Sequence, residues 1–113
     1  MDETFQFLST LEKKVYLWLT GKQIAFVPQQ KMFGYAEAGS AIVDFVIPDR
    51  MLALRVMGSY FHSSLEAKAR DEFGKEQLVN QGYIVVDLWE EALGDDRIDS
   101  TMQLALMGIE VFR

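Results

Sequence analysis

The sequence predicts a single α/β domain, a mixed β-sheet flanked by helices in the order α-β-β-β-α-β-α. Three observations carry this. The chain has 113 residues, half of them hydrophobic and a quarter charged, which suits one buried core and excludes disorder. Two strand-like runs, residues 41–47 and 51–57, flank the turn Pro48-Asp49-Arg50, a connection so short that they must form an antiparallel hairpin. A charged helical stretch, 66–81, then leads to the apolar run 83–88, so strand, helix and strand make a crossover between parallel neighbours.

The elements follow in order. Leu8, Leu11, Val15, Trp18 and Leu19 recur at helical spacing, and Ser9-Thr10-Leu11-Glu12 reads as the capping box of that first helix, with Gly21 as its stop. Residues 24–28 read as a short strand and 30–35 as a weaker extended piece, followed by a loop punctuated by Gly34 and Gly39. If the hairpin turns on Asp49-Arg50, facing residues sum to 99 and Asp44 lies opposite Arg55; a three-residue turn would put Leu54 there instead. The helix 66–81 carries i,i+4 charge pairs (Glu66–Arg70, Lys68–Glu72 and Asp71–Lys75) and ends at Gly82. A last helix is expected from Asp99 or Ser100, burying Met102, Ala105, Leu106 and Ile109.

Charge and composition narrow the function. A formal net charge of −6, with scattered basic residues, gives no electrostatic help to phosphate-backbone binding, so nucleic acid as a partner is not supported by charge. The acids Asp87, Glu90, Glu91, Asp95, Asp96 and Asp99 read as a solvated loop and cap. Without cysteine there is neither a disulfide nor a thiolate metal site. No apolar stretch approaches the ~20 residues that cross a bilayer, and Met1-Asp2-Glu3 is acidic where a secretory signal is basic, so no membrane partner is expected. The expected location is cytoplasmic, or a virion if the chain is phage-encoded. The high apolar share and six methionines point to other protein subunits as partners, in a homo- or hetero-oligomer. Tyr16, Trp18, Phe26, Phe33 and Tyr35 read as core or interface anchors rather than base-stacking platforms, which need basic neighbours.

Asp44 is an acid in an apolar strand, a placement that costs energy unless it has a partner or a task. The ordered set Val43-Asp44-Phe45-Val46-Ile47-Pro48, Leu54-Arg55-Val56-Met57-Gly58-Ser59-Tyr60-Phe61-His62, Ala69-Arg70-Asp71, Leu78 and Gly82-Tyr83-Ile84-Val85-Val86 resembles PD-(D/E)XK proteins. It looks closest to the branch related to the very-short-patch mismatch repair endonucleases. The resemblance implies one restriction-endonuclease-like domain over residues 1–113. It aligns Asp44 with the family's first metal-binding acid and Glu12 with its helix acid, but puts Arg55 at the second acid and Met57 at the following Lys or Gln. A guanidinium cannot ligate metal, and a thioether is a poor ligand for a hard cation. The zinc-binding cysteines of the mismatch repair branch are missing as well. In that branch a His closing a run like 58–62 belongs to the active site; here His62 reads first as a strand-end residue bonded to the backbone.

The expectation is therefore a vestigial site made of Glu12, Asp44, Arg55, Met57 and His62, with no catalysis, no metal and no cofactor. Asp71 sits behind it, in a salt bridge with Lys75 or bonded to the loop after Met57. Arg55 is expected to fill the old metal position and pair with Asp44, and also with Glu12. The chain then acts as a structural or interaction subunit of a phage particle or mobile-element complex. Two alternatives stand beside this. One is a Mg²⁺-dependent DNA endonuclease with a migrated site, using Glu12 and Asp44 as metal ligands with Asp71 and His62. The other is a non-catalytic DNA-binding domain. On the ion-pair reading, Arg55→Glu is expected to lower the melting temperature, since breaking a buried pair costs roughly 3–5 kcal/mol; an unchanged melt would show that Arg55 has no buried anionic partner.

Overall fold

The capping box forms as its spacing predicts. In a computed structural model, which describes residues 3–30, 43–58 and 65–111, the Glu12 N–H donates to Ser9 Oγ at 3.2 Å, and the Ser9 N–H donates to Glu12 Oε1 at 2.7 Å. Helix α1 runs Thr10–Gly21 and buries Val15, Tyr16 and Leu19. The chain leaves it through Gln23 at φ 58°, while the Ile24 N–H still donates to Leu19 O at 3.1 Å. Ile24 therefore closes the helix end and is not available for pairing. For that reason β1 spans Val27–Gln30, three residues later than the pattern suggested. The rest of the weak extended piece at 31–35, with Phe33 and Tyr35, lies outside the described residues.

Strand β2 (Val43–Ile47) and strand β3 (Leu52–Met57) form the expected hairpin. Their pairs are Phe45↔Leu54, Val46↔Ala53 and Ile47↔Leu52, each summing to 99. The connection is a 3-10 turn over Pro48–Arg50, closed by Met51 in the left-handed region. Helix α2 (Leu65–Asn80) crosses over to β4 (Ile84–Trp89), and Gly82 at φ 95° makes the turn between them. The sheet order is β1-β2-β3-β4, with the first three strands antiparallel and β4 parallel to β3. Helix α3 runs Ile98–Ala105 and buries Met102 and Ala105. It ends at Gly108 (φ 80°), so Leu106 is half-buried and Ile109 is exposed rather than in the core as expected.

The two faces of the sheet bury different sets. Phe45, Ile47, Leu52, Leu54, Val56, Val86 and Leu88 pack on α1 and α3. Val46 and Ala53 pack on Leu78 of α2, with Tyr83 and Val85 alongside. Tilted and edge-on ring contacts at 5.0–5.6 Å link Phe5, Tyr16, Phe26 and Phe45, so Tyr16 and Phe26 are core anchors as read. Trp18 instead ties α1 to α3, its indole N–H donating to Asp99 Oδ1 at 3.1 Å. No helix among the described residues is long and apolar enough to cross a membrane.

Every residue of β3 is buried, as befits a central strand covered on both faces. Arg55 is among them at 3% exposure, and its register partner in the parallel ladder is Asp87 at 4%. Arg55 Nε donates to Asp87 Oδ1 at 2.7 Å and its Nη2 to Oδ2 at 2.9 Å, a two-pronged charged pair. This corrects two expectations. Arg55's fork is spent on Asp87 rather than Asp44, and Asp87 belongs to the core rather than to the solvated acidic loop. Asp87→Ala is expected to destabilise by roughly 3–5 kcal/mol in chemical denaturation, because it strands a buried guanidinium, whereas Arg55→Met combined with Asp87→Leu should lose much less. Equal losses in the single and double variants would assign the cost to packing instead of charge pairing.

Candidate active site

Asp44 lies on β2, one step beyond the last hairpin pair, Phe45↔Leu54. Its half-buried carboxylate accepts the Val56 N–H on Oδ2 at 2.7 Å, so a side chain replaces main chain as the acceptor there. The first turn of α1 brings Glu12 to the same place. While Glu12 Oε1 holds the Ser9 N–H, the Glu12 carboxyl also shares a hydrogen bond with Asp44. Capping and site are thus two uses of one side chain.

The consequence is electrostatic. Burial pushes the Asp44 carboxyl up to about 9, aided by the Glu12 hydrogen bond and by the charge of Glu12. The Val56 N–H opposes this, and Arg55 opposes it more weakly. At neutral pH the pair therefore holds a proton between two acids. Arg55 is close enough to be felt, but Asp87 takes its fork.

Met57 is fully buried beside Trp89 in the β3–β4 register and is a packing residue. Gly58 follows it. A Cβ there would meet Glu90 Oε1 at 3.6 Å and Leu11 Cδ1 at 3.9 Å, which places Glu90 and the first turn of α1 at the same end of β3. His62 and the side chain of Asp71 lie outside the described residues, as do most of the helix charge pairs read from the sequence. Among the described residues no three His, Cys, Asp or Glu side chains form a metal cluster; Glu12 and Asp44 meet as a pair.

Two residues around this site escaped the sequence reading. Asp87 is one, although β3 (LALRVM) and β4 (IVVDLW) each carry a lone charge at their fourth position, which is the signal for an in-register pair. Glu110 is the other. Its Oε1 accepts the Asp87 N–H at 2.9 Å and its Oε2 the Trp89 indole N–H at 3.2 Å.

No family model and no curated protein matches the chain. Among solved structures it is similar to the Homing Endonuclease I-Bth0305I Catalytic Domain, with a TM-score of 0.67 and 23% identity over 90% of this chain and 99% of that one. The small mixed sheet with its flanking helices is thus an endonuclease-like α/β fold.

A carboxyl whose pKa is raised on folding contributes stability that is full below its unfolded value, near 3.9, and is lost as pH climbs to about 9. The melting temperature is expected to fall between pH 5 and pH 9, and Asp44→Asn, neutral throughout, should flatten that slope. Parallel pH profiles for the two proteins would show that Asp44 is ionised in the folded state.

Proposed function

We propose that the chain is a divalent-cation-dependent endonuclease domain whose cation is held by Glu12 and Asp44. The observation that carries this is the engagement of Arg55 by Asp87. The inactive reading rested on the acidic charge, the apolar share and the broken motif, and within that motif on a guanidinium standing in the metal position and pairing with Asp44. With the Nε and Nη2 of that guanidinium tied to Asp87 on β4, the two carboxyls face each other and Asp44 holds a proton at neutral pH. Facing acids are costly to hold unless a cation is to join them.

The donor set fits a hard cation. Mg²⁺ commonly takes one or two carboxylates and leaves its remaining positions to water and substrate phosphate. Two carboxylates are therefore enough. A bound cation supplies Lewis-acid polarisation of a phosphodiester. The chain's own groups do the rest. The Val56 N–H aims the Asp44 carboxylate, the capping box holds Glu12, and the Arg55–Asp87 pair keeps β3 in register beneath both. His62 is the candidate for proton transfer, with Asp71 supporting it.

A non-catalytic interaction subunit, in a phage particle or mobile-element complex, is the second reading. Arg55 and Met57 at positions the resemblance gives to an acid and a Lys or Gln favour it, as do the exposed Phe7, Val79 and Met107.

Titration calorimetry with Mg²⁺ and Mn²⁺, alongside a plasmid-nicking assay, separates the two. Expected are cation binding and nicking in the native protein, both lost in Asp44→Asn and Glu12→Gln. Arg55→Met with Asp87→Leu should retain cation binding. A folded native protein that neither binds cation nor nicks would return the interaction reading to the front.

A further inference from the structure

We propose that Glu110 guards the free edge of β4 against pairing with a second copy of this chain. Among the described strands, β4 is bonded on one side only, to β3. The Ile84 N–H donates inward, to Met51 O at 2.8 Å, so by strand alternation the N–H groups of Val85, Asp87 and Trp89 face outward. An outward row of this kind is a template for another strand.

The C-terminal segment is laid over that row. Helix α3 stops in a glycine turn: the Gly108 N–H donates to Ala105 O at 2.9 Å and the Ile109 N–H to Leu104 O at 3.0 Å. The positive φ of Gly108 turns the chain onto β4. A Cβ at Gly108 would stand 3.3 Å from Ile84 Cγ2, so the fit is close. Two residues later Glu110 reaches the Asp87 N–H and the Trp89 indole. Among the described residues, what holds the strap to the middle of the strand is a side-chain carboxylate.

The geometry beneath the strap suits a second copy. A two-fold axis at Asp87 sets Asp87 against itself and Val85 against Trp89, all outward-facing, which is the antiparallel arrangement that exchanges both N–H···O bonds at each pair. The Asp87 charges do not oppose this, since each is bound to its own Arg55. Ile84, an exposed apolar residue of β4, lies against the glycine turn of the strap. Charge in the strap therefore decides between a closed and a sticky edge.

Analytical ultracentrifugation across a wide concentration range tests this. The native protein is expected to keep one mass, while Glu110→Ala shifts towards a dimer as concentration rises. Adding the surface change Ile84→Lys to Glu110→Ala should restore the monomer. Amide exchange gives a second readout: the Asp87 N–H should be protected in the native protein, exposed in dilute Glu110→Ala, and protected again when that variant is concentrated. A folded Glu110→Ala that stays monomeric throughout overturns the proposal. Should Glu110→Ala not fold, an Asp87 amide that exchanges in the native protein as fast as the Val85 amide overturns it equally.

Discussion

The paired charges of Arg55 and Asp87 constrain everything around them. Both sit in apolar strands covered by helices, where an unpaired charge is not tolerated, so the two strands must align to bring them together. A slip of one residue would point the two side chains to opposite faces and strand both. The pair contributes little net stability compared with two apolar side chains, but a ladder in this register satisfies both charges. On the other side of β3, the hairpin register brings the Val56 N–H to Asp44.

The candidate site is built at that junction from three separate elements. Asp44 comes from β2, the Val56 N–H from β3 and Glu12 from the first turn of α1. None of these residues lies on a long loop. A carboxyl held by a main-chain N–H on a strand, facing another held by a helix cap, is preorganised in the sense that binding or chemistry requires. The fold alone does not determine what such a site does, since similarity at 23% identity reaches only to architecture. What this site adds to the architecture is two facing acids beside a guanidinium that Asp87 engages.

The two edges of the sheet are handled differently. Strand β1 has four residues and includes Pro28, which has no N–H to offer, so it makes a poor template for a further strand. Strand β4 is longer and apolar, and the segment beyond α3 lies along it. The same Glu110 that covers the edge also fixes the backbone of Asp87, so edge protection and the buried ion pair share a residue.

Periodicity and turn chemistry in the sequence determined the order of elements and the capping box at Ser9 and Glu12, and favoured the hairpin register that sums to 99 over the one a three-residue turn would give. Each is local: a few neighbouring residues suffice to dictate a helix start or a two-stranded pairing. The resemblance also brought Glu12 and Asp44 forward as a pair. Which carboxylate took Arg55 was decided only by tertiary structure. Asp44 and Asp87 lie on either side of Arg55 in the sheet, one reached through a short turn and the other through a 16-residue helix. Sequence proximity favoured the first; the parallel ladder delivered the second, because register across a crossover is set by what the two strands bury together, the charged pair included, and not by the connecting residues. The same holds for the proton shared by Glu12 and Asp44, which exists because folding removes water from two acids that lie 32 residues apart in the chain.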